Sequence, residues 1–416
     1  MAATDSSASH FPRRARDGDA PHPRYVVWEL TLACDQRCTH CGSRAADARP
    51  DELTTAEALG VVDVLAALGT RELALIGGEA YLHPGFLDVA AAAHARGLRV
   101  TLTTGGRGLD AALAHKMAAA GLYSVSVSID GLGTTHDLFR ATKGSFDAAM
   151  AALGHARAAG LHVMCNTVVH QLDVDELEPL YDTLKAAGII AWQVQLMAAL
   201  GRAADRPDLL LQPWQILDLV PRIVRLKLRA LADGILLAPG NNIGYFSRDE
   251  TRLRSPLPGG KEHWSGCQAG RYVMGIESNG TVKGCPSLPT RAYAGGNVRA
   301  HSLRRIWQES PALAFTRRRT VEDLWGFCRT CPFAETCLAG CNFTSHALFG
   351  RPGNNPFCHY RANTLRERGL RERLVPCARA PGEPFDHGRF EIVTEPFDAA
   401  EPRVVPNVRR LKVWRG

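Results

Sequence analysis

From residue 25 to about residue 198 the hydrophobic positions switch between two periods. Short runs rich in β-branched residues alternate with longer Ala- and Leu-rich stretches of helical spacing. The strand candidates are Tyr25 to Thr31, Leu73 to Ile76, Leu98 to Thr103, Ser124 to Ile129, Leu161 to Val169 and Trp192 to Met197. Thr54 to Leu68 and Leu109 to Ala120 are examples of the helices between them, the first with Thr54 or Thr55 as N-cap and Glu57 near its third position. Pro84 and Pro179 fall in first turns, and Gly69, Gly97, Gly121, Gly160 and Gly188 mark helix ends. Six β–α units in a row predict an α/β fold, a parallel sheet curled as a partial (β/α)6 TIM-like barrel. Ligands collect at the carboxyl ends of the strands in such sheets. Residues 199–260 read as a connector. Within it, Gln212 to Leu231 forms an amphipathic helix containing Pro221, and Pro239 to Lys261 forms loops.

Composition narrows the class. The 416 residues allow two domains, or one large domain with an appendage, and 45% hydrophobic with 22% charged residues is ordinary for a globular chain. A net charge of +7 with scattered arginines describes a solvated surface better than a nucleic-acid footprint. No apolar run reaches the length of a membrane span. The first 24 residues lack an apolar signal core and read as a flexible arm. Twelve cysteines without an export signal indicate metal or redox chemistry in the cytoplasm, not a disulfide framework.

Three of those cysteines, Cys34, Cys38 and Cys41, stand in a C-x3-C-x2-C stretch directly after the first predicted strand. A four-iron cube has four corners to ligate. A loop with three thiolates leaves one iron open to a small molecule. Zinc is the alternative for such a triplet, but structural zinc wants four ligands.

The spacing resembles the radical S-adenosylmethionine (SAM) superfamily. In that family the open iron binds the amino and carboxylate groups of SAM. One electron then releases a 5′-deoxyadenosyl radical that abstracts hydrogen from a substrate. His40 stands where the family often has an aromatic residue. The resemblance extends to Gly77-Gly78-Glu79 after the second strand, implied to meet the SAM amino group. It also includes Thr103-Thr104-Gly105 after the third strand, with Gly105 where the family usually has Asn. Ser128 and Asp130 at the end of the fourth strand are implied to face the ribose, Arg140 the carboxylate and Asn166 the adenosine.

A second block reads Cys267-x12-Gly280-x4-Cys285, then Cys328-x2-Cys331-x5-Cys337-x3-Cys341, then Cys358. It resembles the SPASM extension of radical SAM enzymes, which carries two auxiliary [4Fe–4S] clusters. The resemblance implies Cys328, Cys331, Cys337 and Cys358 for one cluster and Cys267, Cys285 and Cys341 for the other. Some members have a further cysteine shortly before the position of Cys267, where this chain has Lys261, Glu262, His263 and Trp264. Paired zinc ribbons are the alternative, which an odd set of seven cysteines suits poorly. Cys165 and Cys377 fall outside every motif.

The expected layout is an arm at 1–24, a barrel at 25–235, a connector at 236–262, a SPASM domain at 263–365 and a C-terminal extension at 366–416. The resemblance implies an oxidoreductase with three clusters and SAM, acting on a peptide or protein substrate as a maturase of ribosomally made peptides. Its electrons would come from a flavodoxin or ferredoxin-like donor. Leader recognition would rest on a separate protein or on the barrel, because 24 residues are too few for a leader-binding domain. A small molecule such as a tetrapyrrole is the alternative substrate, and a non-enzymatic electron carrier the alternative class. Pro286, where sulfatase-maturing relatives carry an aspartate base, argues against that activity. No general acid or base is assigned, and neither a nucleic-acid nor a membrane partner is expected.

Overall fold

The structure is a computed structural model that describes residues 20–257 and 259–400. Most of the expected N-terminal arm and the basic end of the C-terminal extension lie outside the described residues. The six expected strands are β1 Tyr25–Glu29, β2 Glu72–Ile76, β3 Arg99–Thr104, β4 Leu122–Ser128, β5 His162–Val169 and β6 Ala191–Leu196. They pair in parallel and in sequence order, with Val26 opposite Leu73, Leu75 opposite Leu102 and Val125 opposite Val163. Trp28, Leu73, Leu75, Val100, Leu102 and Val125 are fully buried. This is the pattern of parallel strands covered by helices on the outside.

The helices are α1 Thr55–Ala67, α2 Phe86–Ala95, α3 Ala111–Ala119, α4 Gly133–Arg140, α5 Ser145–Ala158 and α6 Leu177–Ala187. The α1 start is a reciprocal cap. The Thr54 hydroxyl accepts from the Glu57 amide, and the Glu57 carboxylate accepts from the Thr54 amide at 2.8 Å. Gly188 ends α6 at φ 80°, in the left-handed region that a residue with a Cβ avoids.

The sheet continues past both expected edges. Helix α7, Ile216–Ala232, returns the chain to β7, Leu236–Pro239, which pairs in parallel with β6 where the connector was expected to begin. Four residues carry no readable period, and their pairing depends on a neighbour far away in sequence. On the other edge β8, Val273–Ile276, pairs in parallel with β1. β9, Thr281–Lys283, and β10, Ala294–Asn297, extend the sheet antiparallel. The order is therefore β10-β9-β8-β1-β2-β3-β4-β5-β6-β7. Cys285 lies two residues after β9, and β9 pairs with β8, the neighbour of β1, so the second cysteine block joins the sheet beside the strand that carries the first. Beyond it, β11, Leu370–Ala378, and β12, Arg389–Pro396, form a separate antiparallel hairpin. Among the described residues no helix is long and apolar enough to cross a membrane.

Candidate active site

The loop after β1 is pinned by short backbone bonds. The Cys34 amide donates to Ala46 O at 2.9 Å, and the Ala46 amide donates to Leu32 O at 3.1 Å. Sulfur atoms accept from the same loop: Gln36 N lies 3.4 Å from Cys34 Sγ and Ala45 N 3.3 Å from Cys41 Sγ. Cys34, Cys38 and Cys41 all line one cavity of about 380 Å³. Burial pushes the Cys34 thiol up to about 12 and also raises Cys38. Such thiols become thiolates when a metal replaces the proton.

The second strand meets this loop through two glycines. Gly78 N donates to Thr31 O and Glu79 N to Ala33 O, each at 2.8 Å. A Cβ on Gly77 would clash with the Thr31 carbonyl and one on Gly78 with the Ala33 carbonyl. The glycines thus permit the close approach of β2 to the cysteine loop itself. Glu79 is buried and accepts from the Thr104 hydroxyl at 2.5 Å and the Gly105 amide at 2.7 Å. Burial nevertheless raises its carboxyl to about 7. One of its oxygens lies within 4.8 Å of Cys34 Sγ and an Asp35 oxygen. Gly105 leaves no room for the usual asparagine. A Cβ there would press on Gln36 Oε1, and buried Gln36 is tied to Ser145 Oγ at 2.7 Å.

Gly77, Gly78, Glu79, Thr104, Ser128, Arg140 and Asn166 all line the cavity that holds the three thiols. Asp130, grouped with Ser128 in the sequence reading, does not. It is fully buried behind the wall, accepts from Val168 N at 2.7 Å and pairs with Arg140 Nη2 at 2.5 Å. The helix α4 that begins after Gly131 carries Arg140 back onto it, so the carboxylate is turned inward. Arg140 Nη1 lies 3.7 Å from Cys38 Sγ. His40 fills the family's aromatic position as a flat ring. It stacks on Phe139 at 4.1 Å, and Phe139 stacks on His170 at 3.7 Å. Burial holds the His40 imidazole well below its ordinary pKa, so it is neutral.

The second block separates into two sets. Cys328, Cys331, Cys337 and Cys358 line a small apolar cavity with Tyr245, Phe246, Phe327, Phe333 and Tyr360. Burial, with the charges of the neighbouring thiols behind it, raises Cys337 and Cys358 and lifts Cys331 to about 11. Burial lifts Cys285 to about 12 and Cys341 to about 11; Cys267 adds to both and Cys341 to Cys285, which sets these three apart from the other four. Pro286, beside Cys285, and Phe343, near Cys341, line the first cavity. An apolar cage lined by four thiols and a cavity lined by three are donor sets that fit iron–sulfur clusters. Cys165 is buried in the barrel core and Cys377 is exposed on β11.

Sequence reasoning missed Arg202, which donates from Nε to Cys38 O at 2.7 Å and from its guanidinium tip to Ala45 O. Its neighbour Gly201 touches the Cys41 and Gly42 carbonyls too closely for any Cβ. The signal available was position alone, just after the sixth strand. Gln36, Met197, Leu200, Phe343 and Phe385 also line the cavity. Their elements meet only in three dimensions.

Comparison with known proteins agrees with this architecture. The model of the Radical SAM superfamily matches residues 28–184, and that of an iron–sulfur cluster-binding domain, SPASM, matches residues 267–332. An AdoMet-dependent heme synthase of Methanosarcina barkeri is 31% identical over 353 residues, 82% of this chain and 97% of that protein. A PqqA peptide cyclase of Rhizobium meliloti is 29% identical over 345 residues, 81% of this chain and 87% of that one. The crystal structure of Streptococcus suis SuiB bound to S-adenosylmethionine shares the fold, with TM-score 0.61 and 15% identity over 78% of this chain and 74% of that one. The chain belongs to the radical SAM superfamily, as an enzyme whose partial barrel is followed by a SPASM iron–sulfur domain.

Proposed function

We propose that the protein cleaves SAM reductively and uses the resulting radical to abstract hydrogen from a tetrapyrrole-type substrate. The observation that carries this reading is one cavity that joins three thiols, residues of six parallel strands and an apolar wall shared by the segment after β6 and the auxiliary segment. When bound, a four-iron cluster on Cys34, Cys38 and Cys41 supplies the electron for SAM cleavage. Gly77, Gly78, Glu79 and Thr104 receive the SAM ammonium, whose charge favours the ionised form of the Glu79 carboxyl. Arg140 stands toward the SAM carboxylate, held by Asp130. Ser128 and Asn166 flank the nucleoside. Cys328, Cys331, Cys337 and Cys358 hold one auxiliary cluster. Cys267, Cys285 and Cys341 would hold a second next to the cavity, which would supply an acceptor for the electron left on the substrate. A flavodoxin or ferredoxin-like donor supplies the first electron.

The substrate class rests on the 31% relative, a heme synthase, and on the apolar wall of Met197, Leu200, Pro286 and Phe343, which suits a flat conjugated ring. A peptide, the first expectation from sequence, is kept as a second reading because a peptide cyclase is nearly as similar at 29%. Incubating anaerobic, cluster-loaded enzyme with SAM, dithionite and Fe-coproporphyrin III tests both readings. Porphyrin conversion in step with deoxyadenosine release supports the first. Deoxyadenosine with unchanged porphyrin refutes it and leaves the peptide, to be sought in a short reading frame beside the gene.

A further inference from the structure

The hairpin of β11 and β12 lies beyond both matched family segments, which end at residue 332. Its tip, residues 379–388, returns to the cysteine loop. Phe385 N donates to the carbonyl of Gly42, the residue after Cys41, at 2.9 Å. Gly201 N donates to Asp386 O at 2.7 Å, and His387 bridges to Leu200. Arg44, on the cysteine loop, is clasped between Asp386 at 2.9 Å and Asp205 at 2.6 Å, and donates to Gly201 O at 3.0 Å. The second Asp386 oxygen accepts from Gly382 and Glu383 amides, which fixes the turn.

This clasp delivers one side chain into the cavity. Phe385 lines it and packs with Leu200, Ala347 and Phe343. The Lys283 ammonium sits 3.7 Å from its ring centroid. Lys283 is itself fully buried and held by Glu277 at 2.7 Å and Leu288 O at 2.8 Å. The ring is thus backed by a fixed cation two residues before Cys285. Phe385 adopts φ 57°, a conformation unfavourable for a bulky residue, which the clasp must enforce.

We propose that the C-terminal hairpin is part of the active site: its tip walls the cavity in which the radical forms, and Phe385 is a substrate-contacting residue for the flat apolar surface of the substrate. The substrate part of this assignment rests on the function proposed above; the wall does not. Two measurements on anaerobic, cluster-loaded enzyme keep them apart. The first is the rate of iron release to a bathophenanthroline chelator without substrate. The second is Fe-coproporphyrin III affinity in the presence of SAM and no reductant. Phe385→Ala should speed iron release at least threefold and weaken porphyrin binding at least tenfold, with Phe385→Leu recovering most of both. Asp386→Asn, which loosens the clasp, should speed tryptic cleavage at Arg379 and Arg389 and iron release together. If the parent enzyme binds no porphyrin, the tetrapyrrole reading falls and iron release alone decides the wall. Parental iron release in both Phe385→Ala and Asp386→Asn overturns the proposal, as does parental porphyrin affinity in Phe385→Ala where the parent binds. Failure of Phe385→Leu to recover also overturns it, because a general packing defect would then explain the loss.

Discussion

Asp130 and Arg140 offer the sharpest perturbation because both are buried and each is the other's direct counter-ion, 2.5 Å apart. Asp130→Asn keeps the shape and the bond from Val168 N but removes the charge. Stripping one member from a buried pair costs about 3–5 kcal/mol. The Cys38 sulfur, 3.7 Å from Arg140 Nη1, offers a second negative partner, so the lower end, about 3 kcal/mol, is expected. That is a large share of the roughly 5–15 kcal/mol that holds a domain folded. Arg140→Met leaves Asp130 alone. Burial already raises its carboxyl, and losing Arg140 removes the charge that holds it down, so protonation of Asp130 limits the cost. The double variant should therefore lose less than the sum of the two, with a coupling of about 2 kcal/mol. The assay is urea unfolding of anaerobic, cluster-loaded protein followed by far-UV circular dichroism, with midpoints compared at a common slope. SAM affinity is measured on the same four proteins. If Asp130 acts only as the brace of Arg140, Asp130→Asn weakens SAM binding in the parent but not in the Arg140→Met background. Additivity within about 0.5 kcal/mol, or an undiminished SAM defect in that background, would refute the reasoning.

Glu79→Gln should weaken SAM binding at pH 8 by roughly 10- to 100-fold, the worth of a charge-assisted bond. Because burial sets Glu79 at about 7 and a bound ammonium favours its ionised form, SAM affinity of the parent should fall as pH drops below 7, by up to about tenfold per unit, while Glu79→Gln shows no such slope. Titrations of SAM between pH 8 and 6 check both. Gly78→Ala forces a Cβ against the Ala33 carbonyl and should displace the cysteine loop, so iron analysis and electron paramagnetic resonance should show the SAM-binding cluster lost and the auxiliary signals kept. Cys337→Ser should do the reverse, lowering auxiliary iron while SAM cleavage persists. Thr54→Ala removes the reciprocal cap of α1 and should cost about 1 kcal/mol in the same urea assay, leaving SAM affinity unchanged.

What the sequence made legible follows from local physics. Parallel strands buried on both faces announce themselves as β-branched runs. Thr54 with Glu57, and glycine after α1, α2, α3, α5 and α6, are signals confined to a few residues. The spacing of Cys34, Cys38 and Cys41 was legible because one tight loop delivers all three sulfurs to one cavity. Asp130 stands behind the cavity wall, a place its sequence position does not reveal, because a strand end is shared by residues that face the cavity and residues that turn behind it. Arg140 returning on α4 decided between them. The strand Leu236–Pro239 was unreadable because four residues cannot show a period. The same holds for the junction of β8 with β1, which joins residues nearly 250 apart in sequence. Phe385 lay in a tail without motifs, and only the Arg44 clasp reveals its place.

The central claim is that Cys34, Cys38 and Cys41 present one cluster whose open iron cleaves SAM. The direct measurement is deoxyadenosine and methionine released when anaerobic, iron-loaded protein receives SAM and dithionite. The account predicts equimolar release by the parent and none by a variant with all three cysteines changed to alanine, although that variant retains its auxiliary iron. Release by the triple variant, or none by a parent fully loaded with iron, would contradict it.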